Sequence, residues 1–377
     1  MKYMGSKRAM LQNGLGKLVR QEAARKSRVV DLFTGSGSVA WFAAQQLEVP
    51  VLAVDLQLYA SIVAGAVVAR TEALSPMAVE SEWFGVTRAR LERSRVWSEA
   101  RRLDSKSVNT ATWAFQAKRL CSTVRGSGPM WRAYGGHYFS PSQAATLDVL
   151  FRSLPEEPLV RQTCHAALLI AASQCVASPG HTAQPFSSSR GAAPYLREAW
   201  QRNPLRYASL ALRDLCRRRA NKKGASYVSD ATLFARKLKE SDLVFVDPPY
   251  SGVHYSRFYH VLETLARGKC GPVDGVGRYP APSERPTSDY SQKSTSMDAL
   301  ESLLETLAGR GCTCIVTFPN QVCSNGLSGE SVSDCASEYF RIRERIVETR
   351  FSTLGGNNRN RNARQLTSEL VLVLTPR

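Results

Sequence analysis

Short runs of β-branched and aromatic residues alternate along the chain with stretches of helical period. Arg28-Val-Val-Asp-Leu-Phe33 reads as a strand, Thr34-Gly-Ser-Gly-Ser-Val-Ala40 as a glycine turn, and Trp41-Phe-Ala-Ala-Gln-Gln-Leu47 as the helix that follows. After Pro50 a second strand pattern, Val51-Leu-Ala-Val-Asp55, completes a βαβ unit. Strand patterns return at Ser226–Asp230, Asp242–Val246 and Cys312–Phe318, with a closing pair at Ile346–Thr353 and Glu369–Leu374. Between them, Phe258, Val261, Leu262 and Leu265 share one helical face. The alternation predicts an α/β fold with a doubly wound, mixed Rossmann-like sheet.

The period changes between Glu72 and Cys216, where helical and irregular segments rich in Arg, Trp, Ser and Pro predominate. Residues 72–216 are therefore expected as a large, mostly helical insertion, and 1–71 with 217–377 as the sheet domain. Lys269–Ser296, rich in Gly, Pro and Ser, is expected as a long loop. Ser178-Pro-Gly-His-Thr-Ala-Gln-Pro185 reads as a connector.

Composition narrows the function classes. Of 377 residues, 50 are Lys or Arg and 32 are Asp or Glu, a formal charge of +18 that points to a polyanionic partner or to a merely solvated basic surface. The longest mainly apolar stretch, Ala166–Ala177, is too short to span a bilayer, and the opening residues do not read as a signal peptide. The nine cysteines form no CxxC pair. These features lead to the expectation of a cytoplasmic protein with no structural metal.

Two motifs carry chemistry. Gly35, Gly37 and Ala40 fit the G-x-G-x-x-G/A turn, and Asp55 ends the next strand 20 residues after Gly35. Such a turn suits NAD or S-adenosylmethionine equally, and it also suits a tight turn that binds nothing. Sharper is Val244-Phe-Val-Asp-Pro-Pro-Tyr250, which sets a carboxylate, two prolines and an aromatic ring at the end of a buried strand. An exocyclic adenine amine attacks poorly because its lone pair is delocalised into the ring. A fixed Asp247 carboxylate and the Pro248 carbonyl, constrained by Pro249, would accept its two hydrogens and turn the lone pair toward a sulfonium methyl. Tyr250 would stack on a base flipped out of the duplex. The bland reading of Asp-Pro-Pro is a turn after a strand.

Lys2-Tyr-Met-Gly-Ser-Lys7, Asp31-Leu-Phe-Thr-Gly-Ser-Gly37 and Asp247-Pro-Pro-Tyr250 occur in the order seen in the α-group, Dam-type DNA adenine-N6 methyltransferases, which the chain resembles at both ends. The resemblance implies a class I methyltransferase fold and S-adenosylmethionine as cofactor. It also implies Tyr3, Lys7, Phe33, Gly35 and Gly37 around the methionine part of that cofactor, Asp31 near its amino end, Asp55 at its ribose and Asp230 at its adenine amine. The insertion matches nothing residue by residue, so target recognition there is implied by position alone.

The placement of charge agrees with a nucleic-acid partner. Arg88–Arg119 holds nine Arg or Lys against three Asp or Glu, with Trp97 and Trp113 interleaved, an arrangement suited to phosphate contact and base stacking or to solvated helix faces. Arg217, Arg218 and Arg219 continue the excess, and Arg359, Arg361 and Arg364 sit in a loop without apolar anchors. His254, Tyr255 and Arg257 follow the tetrad and are candidates for a base pocket. The expected activity is methylation of adenine N6 in specific double-stranded DNA, with a restriction or defence-system protein as a possible separate partner. The rivals are an RNA adenine methyltransferase, an NAD-dependent oxidoreductase and a non-catalytic DNA-binding protein. Cytosine-C5 methylation is disfavoured because no Pro-Cys dipeptide supplies the nucleophile.

Overall fold

The structure is a computed structural model that describes residues 5–106, 108–126, 128–352 and 364–377, without the side chains of 346–352 and 364–368. It divides into two compact units, one built on Met4–Thr71, Arg219–Tyr255 and Thr287–Arg377, the other on Glu72–Arg218 and Ser256–Pro286. Each is described by itself.

The first unit carries the sheet. Its strands are β1 (Arg28–Asp31), β2 (Val51–Asp55), β3 (Ala225–Val228), β4 (Asp242–Val246), β7 (Thr313–Pro319), β8 (Phe340–Ser352) and β9 (Arg364–Pro376). The short β5 (Val273–Asp274) and β6 (Tyr279–Pro280) form a separate two-stranded ladder in the second unit. The sheet order is β3-β2-β1-β4-β7-β9-β8, with β9 antiparallel to both neighbours and every other pairing parallel. The doubly wound α/β expectation is thus met. Strand order reverses between β1 and β4, and in such sheets ligands bind beyond the carboxyl ends of the strands at the reversal.

The strands read as continuous apolar runs because both faces are covered. One face buries Val30, Val244, Val316, Phe318 and Leu372 beneath the helices Ser296–Gly309 and Gly329–Tyr339. The other packs under Ser38–Gln46 and Leu58–Val68, where Trp41 Nε1 donates to the Val63 and Ala64 carbonyls. At the amino ends of β1 and β4, the fork of Arg28 grips Asp242 through two bonds of 2.8 and 2.7 Å, pinning their register.

β1 stops two residues before Phe33 and β7 is shifted by one residue from the sequence reading, while three other boundaries differ in ways that matter. β8 starts six residues before Ile346, where Arg341, Arg343 and Arg345 alternate with Phe340 and Ile342. An edge strand with one solvated face can carry such charge, which hides it from an apolar search. β9 starts at Arg364 rather than Glu369 because β8 pairs with it along all 13 residues. β3 stops at Val228, so Asp230 does not end a strand but caps the helix Ala231–Ala235.

The second unit is helical: Pro76–Glu92, Arg95–Asp104, Thr110–Thr123, Pro141–Arg152, Pro158–Cys175, Ala193–Trp200 and Pro204–Arg217. Four of these open on a capping side chain followed by proline, Ser75-Pro76, Ser140-Pro141, Glu157-Pro158 and Asn203-Pro204. The cap satisfies an orphan N–H, and proline lacks one that would need a partner. Buried Asp148 accepts from the Met130 and Trp131 N–H groups at 3.0 and 2.9 Å. Residues 256–286 join this unit through Tyr134 and Thr264 hydroxyls 2.9 Å apart and through Tyr138, whose hydroxyl donates to the Gly277 carbonyl. Phe258, Val261, Leu262 and Leu265 are buried on the expected face. No helix among the described residues is long and apolar enough to cross a membrane.

Candidate active site

The glycine turn leaves β1 with Gly35 and Gly37 both at positive φ, 50° and 75°, where a side chain would be strained. Gly37 then opens the helix Ser38–Gln46. The Gly35 N–H donates to Asp55 Oδ2 at 2.8 Å, and the Gln57 N–H donates to Asp55 Oδ1 at 2.9 Å. Asp55 therefore ties the β1 turn to the end of β2. Phe33 packs edge-on against Tyr290, whose hydroxyl meets that of Thr232 at 2.7 Å. Asp230 spends one oxygen on the Leu233 N–H at 3.0 Å as the helix cap.

One strand over, β4 ends directly before Asp247. Both contacts that reach its carboxylate from the described residues fall on Oδ1: Lys7 Nζ at 2.9 Å and the Thr317 hydroxyl at 2.9 Å. One oxygen is thus fixed by a strand neighbour and by the amino-terminal segment. Pro248 is buried, and Tyr250 is half-buried and set edge-on to Tyr255 with ring centroids 6.3 Å apart. Gly5, at φ +72°, lies so close to Tyr250 that a Cβ there would meet the phenol oxygen at 2.2 Å. Glycine in the amino-terminal motif is thereby explained as clearance for the tetrad. Asn325, fully buried, donates to the Pro249 carbonyl at 2.9 Å and the Tyr290 carbonyl at 3.1 Å, tying the Pro-Pro turn to the segment that carries Phe33's partner.

Lys7 also pairs with Glu369 of β9, and both side chains are buried. Burial pulls the Lys7 ammonium toward neutrality, but Asp247 and Glu369 outweigh it and hold Lys7 above the usual lysine range. Burial raises both carboxylates, with Lys7 opposing. Asp31, fully buried at the end of β1, is pushed up to about 8 by burial and then by the charges of Asp247 and Asp55. Its Oδ1 has no hydrogen-bond partner among the described residues. A buried carboxyl with one oxygen held by the Phe33 and Ala40 N–H groups and the other unpartnered among the described residues, beside two left-handed glycines, fits a ligand that brings a cation and a close backbone approach.

The fold brings together Lys7, Asp31, Phe33, Gly35, Gly37, Asp55, Asp230 and Asp247–Tyr250 at the carboxyl edge of one sheet. Tyr3, Arg359 and Arg361 lie outside the described residues, as does the side chain of Arg364. Arg217 and Arg219 are exposed, whereas Arg218 pairs with Asp214 at 2.9 Å. The tryptophans interleaved with arginine are not free stacking platforms, and that expectation is corrected. Trp113 is buried edge-on against Trp200 with Arg197 over its ring, and Trp97 bonds Thr146 and carries Arg101. Indole area is more stabilising in a helical core than in water, so packing claims these rings. His254 accepts from the Ser288 N–H. Sequence reasoning missed Thr317, Asn325, Tyr290 and Glu369. Only Glu369 carried a signal, as a lone carboxylate heading the apolar run Leu370–Leu374.

Residues 197–275, which include the tetrad, match the family described as D12 class N6 adenine-specific DNA methyltransferase. Over 126 residues the chain is 27% identical to the modification methylase StsI of Streptococcus sanguinis, a match covering 33% of this chain and 19% of that protein. The matched stretch thus spans about a fifth of the relative's length. Both similarities bear out the resemblance carried by the three motifs.

Proposed function

We propose that this chain transfers a methyl group from S-adenosylmethionine to adenine N6 in double-stranded DNA. The observation that carries the reading is the anchored Asp247 carboxylate at the head of Pro-Pro-Tyr, one strand from the Gly35/Gly37 turn at the sheet's reversal point. Gly35, Gly37 and Phe33 would hold the methionine part of the cofactor and Asp31 its ammonium, with Asp55 and Asp230 toward its ribose and adenine. S-adenosylmethionine, when bound there, supplies an electrophilic methyl group.

The chain's own residues would prepare the nucleophile. With Oδ1 held by Lys7 and Thr317, Asp247 would use Oδ2 to accept one N–H of the target amine, and the Pro248 carbonyl would accept the other. Accepting both hydrogens draws the nitrogen toward sp³ geometry and localises its lone pair. A base within a duplex cannot reach a strand end, so the adenine would be flipped out and stacked on the half-buried Tyr250 ring. Asn325, by occupying the Pro249 carbonyl, fixes the turn that aims Pro248. The exposed Arg217 and Arg219, with Arg218 and the carboxyl-terminal arginines Arg359, Arg361 and Arg364, would meet phosphates.

The test is incubation with labelled S-adenosylmethionine and either duplex DNA or RNA of mixed sequence, followed by nucleoside analysis. Expected is label in N6-methyladenine from DNA, with Asp247→Ala slower by at least about a hundredfold. Wild-type rates in that variant, or label in RNA alone, would sink the reading.

A further inference from the structure

The ion cluster around Asp247 contains one carboxylate more than the tetrad supplies. Glu369 comes from β9, outside every motif, opposite Pro319 of β7, and its side chain is 3% exposed. Its partner Lys7 is 4% exposed and reaches Asp247 Oδ1 at 2.9 Å. A single ammonium is therefore shared by two carboxylates. Were Lys7 paired with Asp247 alone, the pair would be electrically neutral, and a neutral pair offers little to a cation forming beside it. Glu369 restores a net charge of −1 to the cluster.

That charge matters for the reaction proposed above, on which this inference rests. As the nitrogen–carbon bond forms, the carbon–sulfur bond breaks and its electron pair passes to sulfur. Positive charge then builds on the amine nitrogen until one of its protons leaves to water. The cofactor's positive charge thereby moves from sulfur to the nitrogen held at Asp247, and a preorganised negative charge there, in a water-poor site, lowers the energy of that stage more than it lowers the ground state, in which the charge still sits on sulfur. We infer that Glu369 is a positioning residue for methyl transfer. It holds the Lys7 ammonium off full neutralisation of Asp247 and keeps the acceptor site anionic.

The experiment measures single-turnover rate, KM for DNA and for S-adenosylmethionine, pH profile and melting temperature for Glu369→Gln, Glu369→Asp, Lys7→Met and the Lys7→Met/Glu369→Gln pair. Expected for Glu369→Gln is a rate about tenfold lower, with both KM values within about twofold. Its acid limb should move to lower pH, because losing a neighbouring negative charge eases ionisation of Asp247. Glu369→Asp keeps the charge and should recover part of the rate. The double variant should be no slower than Lys7→Met alone, since removing both partners leaves Asp247 as an isolated anion.

A Glu369→Gln enzyme with wild-type rate and acid limb overturns the inference. So does one that only melts lower, or a double variant slower than both singles. If Glu369→Gln does not fold, Glu369→Asp decides by the same rate and pH readouts. Failure of the underlying reading looks different: the wild type then leaves DNA unmethylated, or Asp247→Ala remains active.

Discussion

The two units use charged and aromatic side chains in opposite ways. In the sheet unit, charge is buried and concentrated: Lys7, Asp31, Asp247 and Glu369 lie at one edge with partners that leave the group unbalanced. In the helical unit, charge stays mostly at the surface, while the inward-facing carboxylates Asp148 and Asp104 are satisfied locally, Asp148 accepting from two backbone N–H groups and Asp104 from Trp113, Ser140 and Ser142. A carboxylate with both oxygens satisfied organises structure, whereas Asp31, with its Oδ1 left without a partner among the described residues, is poised for a ligand. Density of charge in the sequence marks neither condition. Arg88–Arg119 holds nine basic residues, yet the two tryptophans among them are engaged in contacts within the helical unit.

The contrast can be broken from either side. The largest expected effect is on the helical side, where Trp113→Ala empties a buried ring site and should cost about 3–5 kcal/mol. Thermal melts should fall by roughly 10 °C, while DNA affinity per folded molecule stays at the wild-type value. A stable variant that has lost DNA binding would return Trp113 to the interface.

Asp31 sharpens the other side. Its folded carboxyl, raised to about 8, holds a proton that the unfolded chain releases near the ordinary carboxylate value. The folded state thus binds more protons between those two values, and stability falls as pH rises through the interval. Asp31→Asn removes that dependence. Melts of the ligand-free protein should show the variant gaining on the wild type from pH 5 to pH 8, by up to a few kcal/mol. S-adenosylmethionine should in turn bind the wild type more tightly as pH rises toward 8, releasing a proton that calorimetry in two buffers would count. A pH-independent difference between the two proteins would show that Asp31 is already ionised.

The smallest effect concerns the surface. Arg217→Ala with Arg219→Ala should leave melting unchanged and flatten the dependence of log affinity on log salt by roughly one unit per lost phosphate contact. Arg218→Ala should flatten it less, because Asp214 already neutralises that guanidinium in the free protein. Equal slopes for all the variants would remove this corner from the DNA interface.

Much of the site was legible because its motifs are local. A glycine turn after an apolar strand and Asp-Pro-Pro-Tyr after another are each set by backbone constraints within a few residues. Asp55 could be anticipated because it ends the neighbouring strand. Thr317 and Asn325 could not, since each acts across strands or loops far apart in the chain and its local sequence is that of an ordinary strand or turn, and Glu369 showed only as a lone carboxylate heading an apolar strand, with nothing local to name its partner. The interleaved tryptophans misled for the converse reason, since an indole ring looks the same in sequence whether it faces water or a core.

By itself the sequence determined the alternation of strands and helices, the left-handed turn at Gly35 and Gly37, and the presence of a carboxylate, two prolines and a ring at one strand end. These follow from steric limits and burial periods that act over short spans. Only the tertiary structure decided which charges share the site. A single ammonium between Asp247 and Glu369 arises because parallel and antiparallel strands bring residues 247 and 369 to one dry edge, where the amino-terminal segment places Lys7. There the low dielectric makes each partner's position count.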